Sequence, residues 1–141
     1  GTASLLASDA IAVADLVIIP VQGSSMDARA AARIIKLVKN QERKSGKSVP
    51  MRVLMSRTSA AVTSRAQRDV ESQLSEANIP QMRTAIVERA AYREITGLGG
   101  LLRDLDRKEV RNLDKAIENA AAYATEVTMI LKEAEQGRGQ A

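Results

Sequence analysis

A continuous apolar run at residues 16–21, LVIIPV, constrains this chain more than any other feature. It is too short for a helix and lacks the alternation of a strand with one wet face, so it reads as a strand covered on both faces. That is the pattern of a parallel sheet. Pro20 and Gly23 stop the strand, Ser24, Ser25 and Asp27 offer oxygens for a helix N-cap, and the alanine-rich stretch beyond them favours a helix. In open α/β sheets, ligands sit in loops at the carboxyl ends of strands, so function is expected after Val21, Ser56 and Glu88.

The alternation continues along the chain. Helices are predicted over 4–14, 26–44 and 63–77, and strands over 16–21, 51–55 and 82–87. This order implies an α/β fold in which a parallel sheet with flanking helices is built by right-handed crossovers. From residue 110 the pattern changes: Val110, Leu113, Ile117, Ala120, Ala124, Val127, Leu131 and Ala134 recur at steps of three and four. This seam is alanine-rich and short for an independent coiled coil, so it predicts a long C-terminal helix packed on the sheet, with an oligomerising helix as the alternative. The expected organisation is a partial α/β domain over 1–103, that helix over 104–136, and a frayed tail over 137–141. A doubly wound sheet normally begins with a strand, whereas this chain begins with a helix, and so it reads as the second half of a larger domain.

Composition narrows the chemistry. Among the 141 residues there is neither cysteine nor histidine, which removes disulfides, thiolate metal sites and the Ser-His-Asp and Cys-His mechanisms. Tyr92 and Tyr123 are the only aromatics, too few for a base-stacking platform, and Tyr92 reads as an amphipathic packing residue. The longest apolar stretch, residues 10–21, is interrupted by Asp15 and falls short of the ~20 residues that span a bilayer. No secretion signal opens the chain, and a soluble, cytoplasmic protein is expected. The net charge is +4, yet residues 26–47 alone carry seven basic side chains against Asp27 and Glu42. At about 100° per residue, Arg29, Arg33, Lys36, Arg43 and Lys47 fall on one side of that helix, opposite Ala30, Ile34, Leu37, Val38 and Gln41. Such a stripe fits either a solvated face or a polyanion surface.

Several segments in order resemble the ParA/MinD group of deviant P-loop ATPases, closest to ParA-like proteins of plasmid partition and conjugation-associated systems. ADLVIIPVQGSSMDARAA at 14–31 looks like the strand, loop and helix after that group's second nucleotide motif. RVLMSR at 52–57 resembles its next strand, which commonly ends Asn-Arg, and TAIVERAAYREITGLGG at 84–100 is similar to its last strand and arginine-bearing turn. The resemblance implies the second half of a P-loop NTPase-like domain, from a parent that uses ATP and magnesium, dimerises, binds DNA non-specifically and engages an adaptor protein. No G-x-x-x-x-G-K-[ST] motif occurs in the chain, so hydrolytic residues would lie upstream, and the chain by itself is expected to be inactive, to hold no cofactor and to have only weak affinity for ATP. The alternative reading is a stand-alone α/β interaction module that meets an acidic partner or a membrane surface through its basic helix.

The resemblance also nominates residues. Ser56, Arg57 and Glu88 correspond to the nucleotide-base edge, although Ser56 lacks the paired donor and acceptor of the family's asparagine. A polar strand end capped by a loop fits Ser56 and Arg57 equally. Arg89 and Arg93, four apart, correspond to the DNA-facing turn and would share a helix face partly neutralised by Glu94. Lys36 and Arg43 on the basic stripe join them as candidate phosphate contacts. Asp104 and Asp106, two apart, would point away from each other on a helix and make a poor acid/base pair.

Overall fold

A computed structural model describes residues 2–139. Its elements are α1 (Thr2–Val13), β1 (Val17–Val21), α2 (Ser25–Ser45), β2 (Met51–Thr58), α3 (Arg65–Glu76), β3 (Ile86–Val87), α4 (Ala90–Leu98) and α5 (Leu113–Gly139), with a short 3₁₀ turn at Leu102–Asp104. The strands form one parallel sheet in the order β1-β2-β3.

The strand period of two divides the apolar side chains between two layers. Ile19, Val21, Val53 and Met55 face Ala31 and Ile35 of α2 and Val70 and Leu74 of α3. Leu54, with the half-buried Leu16, Ile18 and Ile86, faces Tyr123, Val127 and Ile130 of α5. The sheet is therefore sandwiched between helices, as its sequence pattern requires. Coverage is unequal, because on the α5 side of β1 Ile18 is half-buried and Pro20 exposed. Val53, at the centre of the sheet, is fully buried, and a side chain so placed contributes about 1.5–3 kcal/mol.

Local chemistry sets the ends of the elements. Ser24 caps α2, its Oγ accepting from the Asp27 amide at 3.1 Å, and Gly46 closes the helix in the left-handed region at φ 67°. Glu42 then staples the following loop, its Oε1 accepting from the Val49 amide at 2.9 Å and the Ser48 hydroxyl at 3.2 Å. Gly23 has φ 78°, and a Cβ there would stand 3.2 Å from the Gln67 Cα, so the turn from β1 into α2 needs glycine for both conformation and space. Ser64 caps α3 through the Gln67 amide at 3.1 Å.

Three sequence expectations change. The third strand, expected over 82–87, is reduced to Ile86–Val87 and one bridge between Val53 and Gln81. The cause lies in α5: Glu126 accepts from the Arg83 amide at 2.6 Å and the Thr84 amide at 2.8 Å, bending the chain where a strand would continue. Asn119 takes over further edge bonding, accepting from the Val87 amide at 3.0 Å and donating to the Ala85 carbonyl at 2.8 Å. Second, the seam of α5 is displaced: Ala116 and Ile130 are buried while Ala124 is exposed, since 3.6 residues per turn drift off a strict heptad against a sheet. The helix starts at Leu113 rather than near 104 and continues through Gly139, into the expected tail, whose residues 140 and 141 lie outside the described part. Third, α2 buries Ala31, Ile35 and Val38 and leaves Ala30 exposed, a rotation of the projected apolar face.

Candidate functional site

At its carboxyl end β2 departs from regular pairing. Ser56 pairs with Ile86 and Thr58 with Val87, leaving Arg57 as an extra residue on β2. Arg57 has φ 54°, a left-handed conformation that costs a non-glycine residue about 1 kcal/mol or more. The bulge accompanies a specific contact: Arg57 Nε donates to Glu88 Oε2 at 2.9 Å. Arg93 Nη1 donates to the other carboxylate oxygen, Oε1. The Glu88 amide donates to the Thr58 carbonyl at 2.9 Å, so the strand pairing that frames the bulge also holds the acid beside it.

The result is a three-residue cluster with one excess positive charge. The Arg57 hydrogen bond, then that of Arg93 and the attraction of both cations, hold the Glu88 carboxyl below its ordinary pKa against the opposing effect of burial. The arginine side chains are 63% and 64% exposed, so the pairs add little to stability, and what they define is the charge and shape of the sheet edge. Ser56 completes this edge, its Oγ donating to the Val21 carbonyl at 3.4 Å and tying together the ends of β1 and β2.

Arg89 is placed differently from the sequence expectation. It is the N-cap of α4, with φ −139° and ψ 145°, so it lies outside the helix that carries Arg93. Its Nε is buried with no hydrogen-bond partner among the described residues, an arrangement that costs about 1–3 kcal/mol unless an acceptor arrives. Nearby stands Tyr92, whose hydroxyl contacts the Ala116 carbonyl at 2.8 Å and Asn119 Oδ1 at 3.1 Å, anchoring α4 to α5. Burial pushes the Tyr92 phenol up, and the Arg89 cation offsets part of that rise. The acid paired with Arg93 is Glu88, and Glu94 takes part in no ion pair among the described residues.

Lys36 and Arg43 are not part of this edge. Helix α2 starts at the carboxyl end of β1 and runs back to the opposite edge, which puts Arg43 roughly 27 Å along its axis from Ser25. Both side chains are exposed and line a groove of about 920 Å³ between α2 and α3. The structure thus gathers Ser56, Arg57, Glu88, Arg89 and Arg93 at the carboxyl edge and sets Lys36 and Arg43 apart. The bulge at Arg57 and the α5 anchors Asn119 and Glu126 carry no motif by which the sequence could have disclosed them.

The residues of this chain do not fit a magnesium–triphosphate centre. Among the described residues no group of three or more acidic side chains is placed to hold a metal ion, and the sequence holds no G-x-x-x-x-G-K-[ST] loop, since Gly46-Lys47-Ser48 follows the end of a helix and has Gln41 in place of the first glycine. Among those residues, too, no helix is long and apolar enough to cross a membrane.

A parallel sheet between helices, with a charged cluster at its carboxyl edge, defines an open α/β protein, and the edge carrying Arg57 and Glu88 is the one at which such folds generally take ligands. No family model matches the chain. Its sequence is 32% identical over 134 residues to Protein ParA of Rhizobium radiobacter, and the match covers 95% of this chain. The chain spans 60% of the length of that relative. The ParA-like resemblance of the individual motifs therefore extends over nearly all of the sequence.

Proposed function

We propose that this chain is part of a ParA-like partition ATPase, whose activity is ATP-dependent dimerisation and non-specific DNA binding in the service of DNA segregation or transfer. In this reading residues 1–103 form part of a P-loop NTPase-like domain, and the phosphate cradle and magnesium ligands lie in a portion other than these 141 residues. The observation that carries it is the Arg57–Glu88–Arg93 cluster at the carboxyl edge of a parallel sheet, in a chain aligned with ParA over nearly its whole length.

Ser56, Arg57 and Glu88 then border the base end of the nucleotide. The bulge fixes the Arg57 guanidinium beside the Glu88 carboxylate, which leaves a flat cationic surface and acceptor oxygens at one place. Arg93, with its exposed guanidinium, faces phosphate oxygens of DNA in this reading, and Arg89, whose Nε is buried, reaches them through its terminal guanidinium nitrogens. A homodimer, an adaptor protein and a cytoplasmic setting complete the reading. Lys36 and Arg43 lie along the second half of α2, outside this edge.

An amide NMR titration of the chain with ATP tests the base-end assignment. Weak binding is expected, with shifts confined to residues 56–58 and 88–89, together with no magnesium-dependent hydrolysis. A tight stoichiometric isotherm that requires magnesium, or shifts away from this edge, would overturn the assignment.

A further inference from the structure

We propose that the groove between α2 and α3 is a docking site for an acidic amphipathic helix of a partner protein. Its floor is apolar, formed by Ile35 of α2, Val70 and Leu74 of α3, and Ile79. The small side chains of Ala32 and Ala77 keep its walls low. With a volume of about 920 Å³ it accepts several large aliphatic side chains rather than one.

The rim supplies the charge argument. Lys36, Lys39 and Arg43 follow one another at steps of three and four on α2, a ridge roughly 10 Å and two helical turns long, and Lys47 adds a fourth cation from the loop beyond the Gly46 cap. All four are exposed, and none forms an ion pair among the described residues. Glu42, the acid on that wall, is occupied with Ser48 and the Val49 amide. The α3 wall offers the uncharged Gln73 and Ala77. One rim is thus cationic and the other neutral, over an apolar floor.

A helix with leucines at i, i+3, i+4 and i+7 and glutamates along one flank matches this asymmetry, with its acids spaced to meet the ridge. The opposite orientation would put the acids against the neutral wall, so the charge also sets the direction of docking. Duplex DNA would engage the rim alone and make no use of the apolar floor, because its phosphates present nothing apolar. The site lies away from the Arg57–Glu88 edge and does not rest on the nucleotide reading.

The test uses the 141-residue chain and a fluorescein-labelled peptide of about 16 residues with that leucine and glutamate spacing. A peptide of the same composition with the leucines permuted off one face serves as control. Saturable anisotropy with the first peptide, methyl shifts at Val70 and Leu74, and binding weaker by about tenfold or more for the control are expected. The double substitution K36E/R43E should weaken binding about tenfold, and a peptide with lysines in place of its glutamates should recover it. Ala77→Trp, at an exposed position that leaves the fold intact, should block the groove without touching the charge. Equal binding of both peptides, or no effect of Ala77→Trp, would overturn the proposal. So would a short duplex that binds through the rim while the peptide does not bind.

Discussion

Glu88 is the residue on which the edge depends, since each of its carboxylate oxygens holds one arginine. Its depressed pKa has a defined consequence for pH. A carboxyl lowered in the folded state favours folding above its ordinary unfolded value, and that contribution is lost as pH falls through the folded value. The Arg57 and Arg93 contacts should therefore persist at neutral and mildly acidic pH and be lost only as pH falls through the lowered Glu88 value. A side-chain carboxyl NMR titration should find the Glu88 midpoint below those of acidic residues without a cation partner, and Arg57→Ala should move it upward. An unchanged midpoint in Arg57→Ala would mean that the bulge places Arg57 without the contact mattering. The same residue scale explains why the bulge is invisible in the sequence. Left-handed backbone is signalled by glycine, asparagine or aspartate, and an arginine at that position gives no sign of it.

The most informative element is β3, where side chains of α5 replace backbone partners. Glu126 is raised by burial and lowered by the Arg83 and Thr84 amides, and the amides prevail. Glu126→Ala should leave both amides unpaired, lower stability by about 1–3 kcal/mol, and speed hydrogen exchange at residues 83 and 84 ahead of global unfolding. Urea denaturation and exchange measured together decide this, and unchanged exchange would show that the bend holds without the carboxylate. The elements that are legible in the sequence share one property: their signals are local. The run at 16–21 and the Ser24 cap each lie within a few residues of what they determine. The shortening of β3 is not legible, because the groups that cause it lie more than thirty residues away on α5. The α2 face projects with a rotation error for a related reason: with alanine on every side, tertiary packing and not sequence pattern selects Ala31 over Ala30. At the site, the order of Ser56, Arg57, Glu88 and Arg93 is readable, whereas the extended N-cap position of Arg89, with its Nε buried, follows from where α4 begins and has no local signal.

Across the whole molecule, open edges and surface charge govern what the chain meets. Among the described residues β1 pairs with β2 alone, and Leu5, Leu6 and Val13 of α1 are more than 60% exposed, a combination that favours association. Light scattering should show self-association that grows with concentration, and a monodisperse monomer at high concentration would count against an available β1 edge. Four of the basic residues fall into two groups, Arg89 and Arg93 at the carboxyl edge of the sheet and Lys36 and Arg43 on the groove rim along the second half of α2. Only the first group is assigned to DNA. The most direct test of that assignment is the salt dependence of duplex affinity, measured in the ATP-bound ParA-like protein that carries this segment, with and without Arg89→Ala and Arg93→Ala. Binding should be indifferent to sequence, each substitution should weaken it for every duplex alike, and the slope of log affinity against log salt should flatten by about 0.9 for each phosphate left without its arginine. If the double substitution leaves both affinity and slope unchanged in a folded protein, the carboxyl edge does not meet DNA and the partition reading fails.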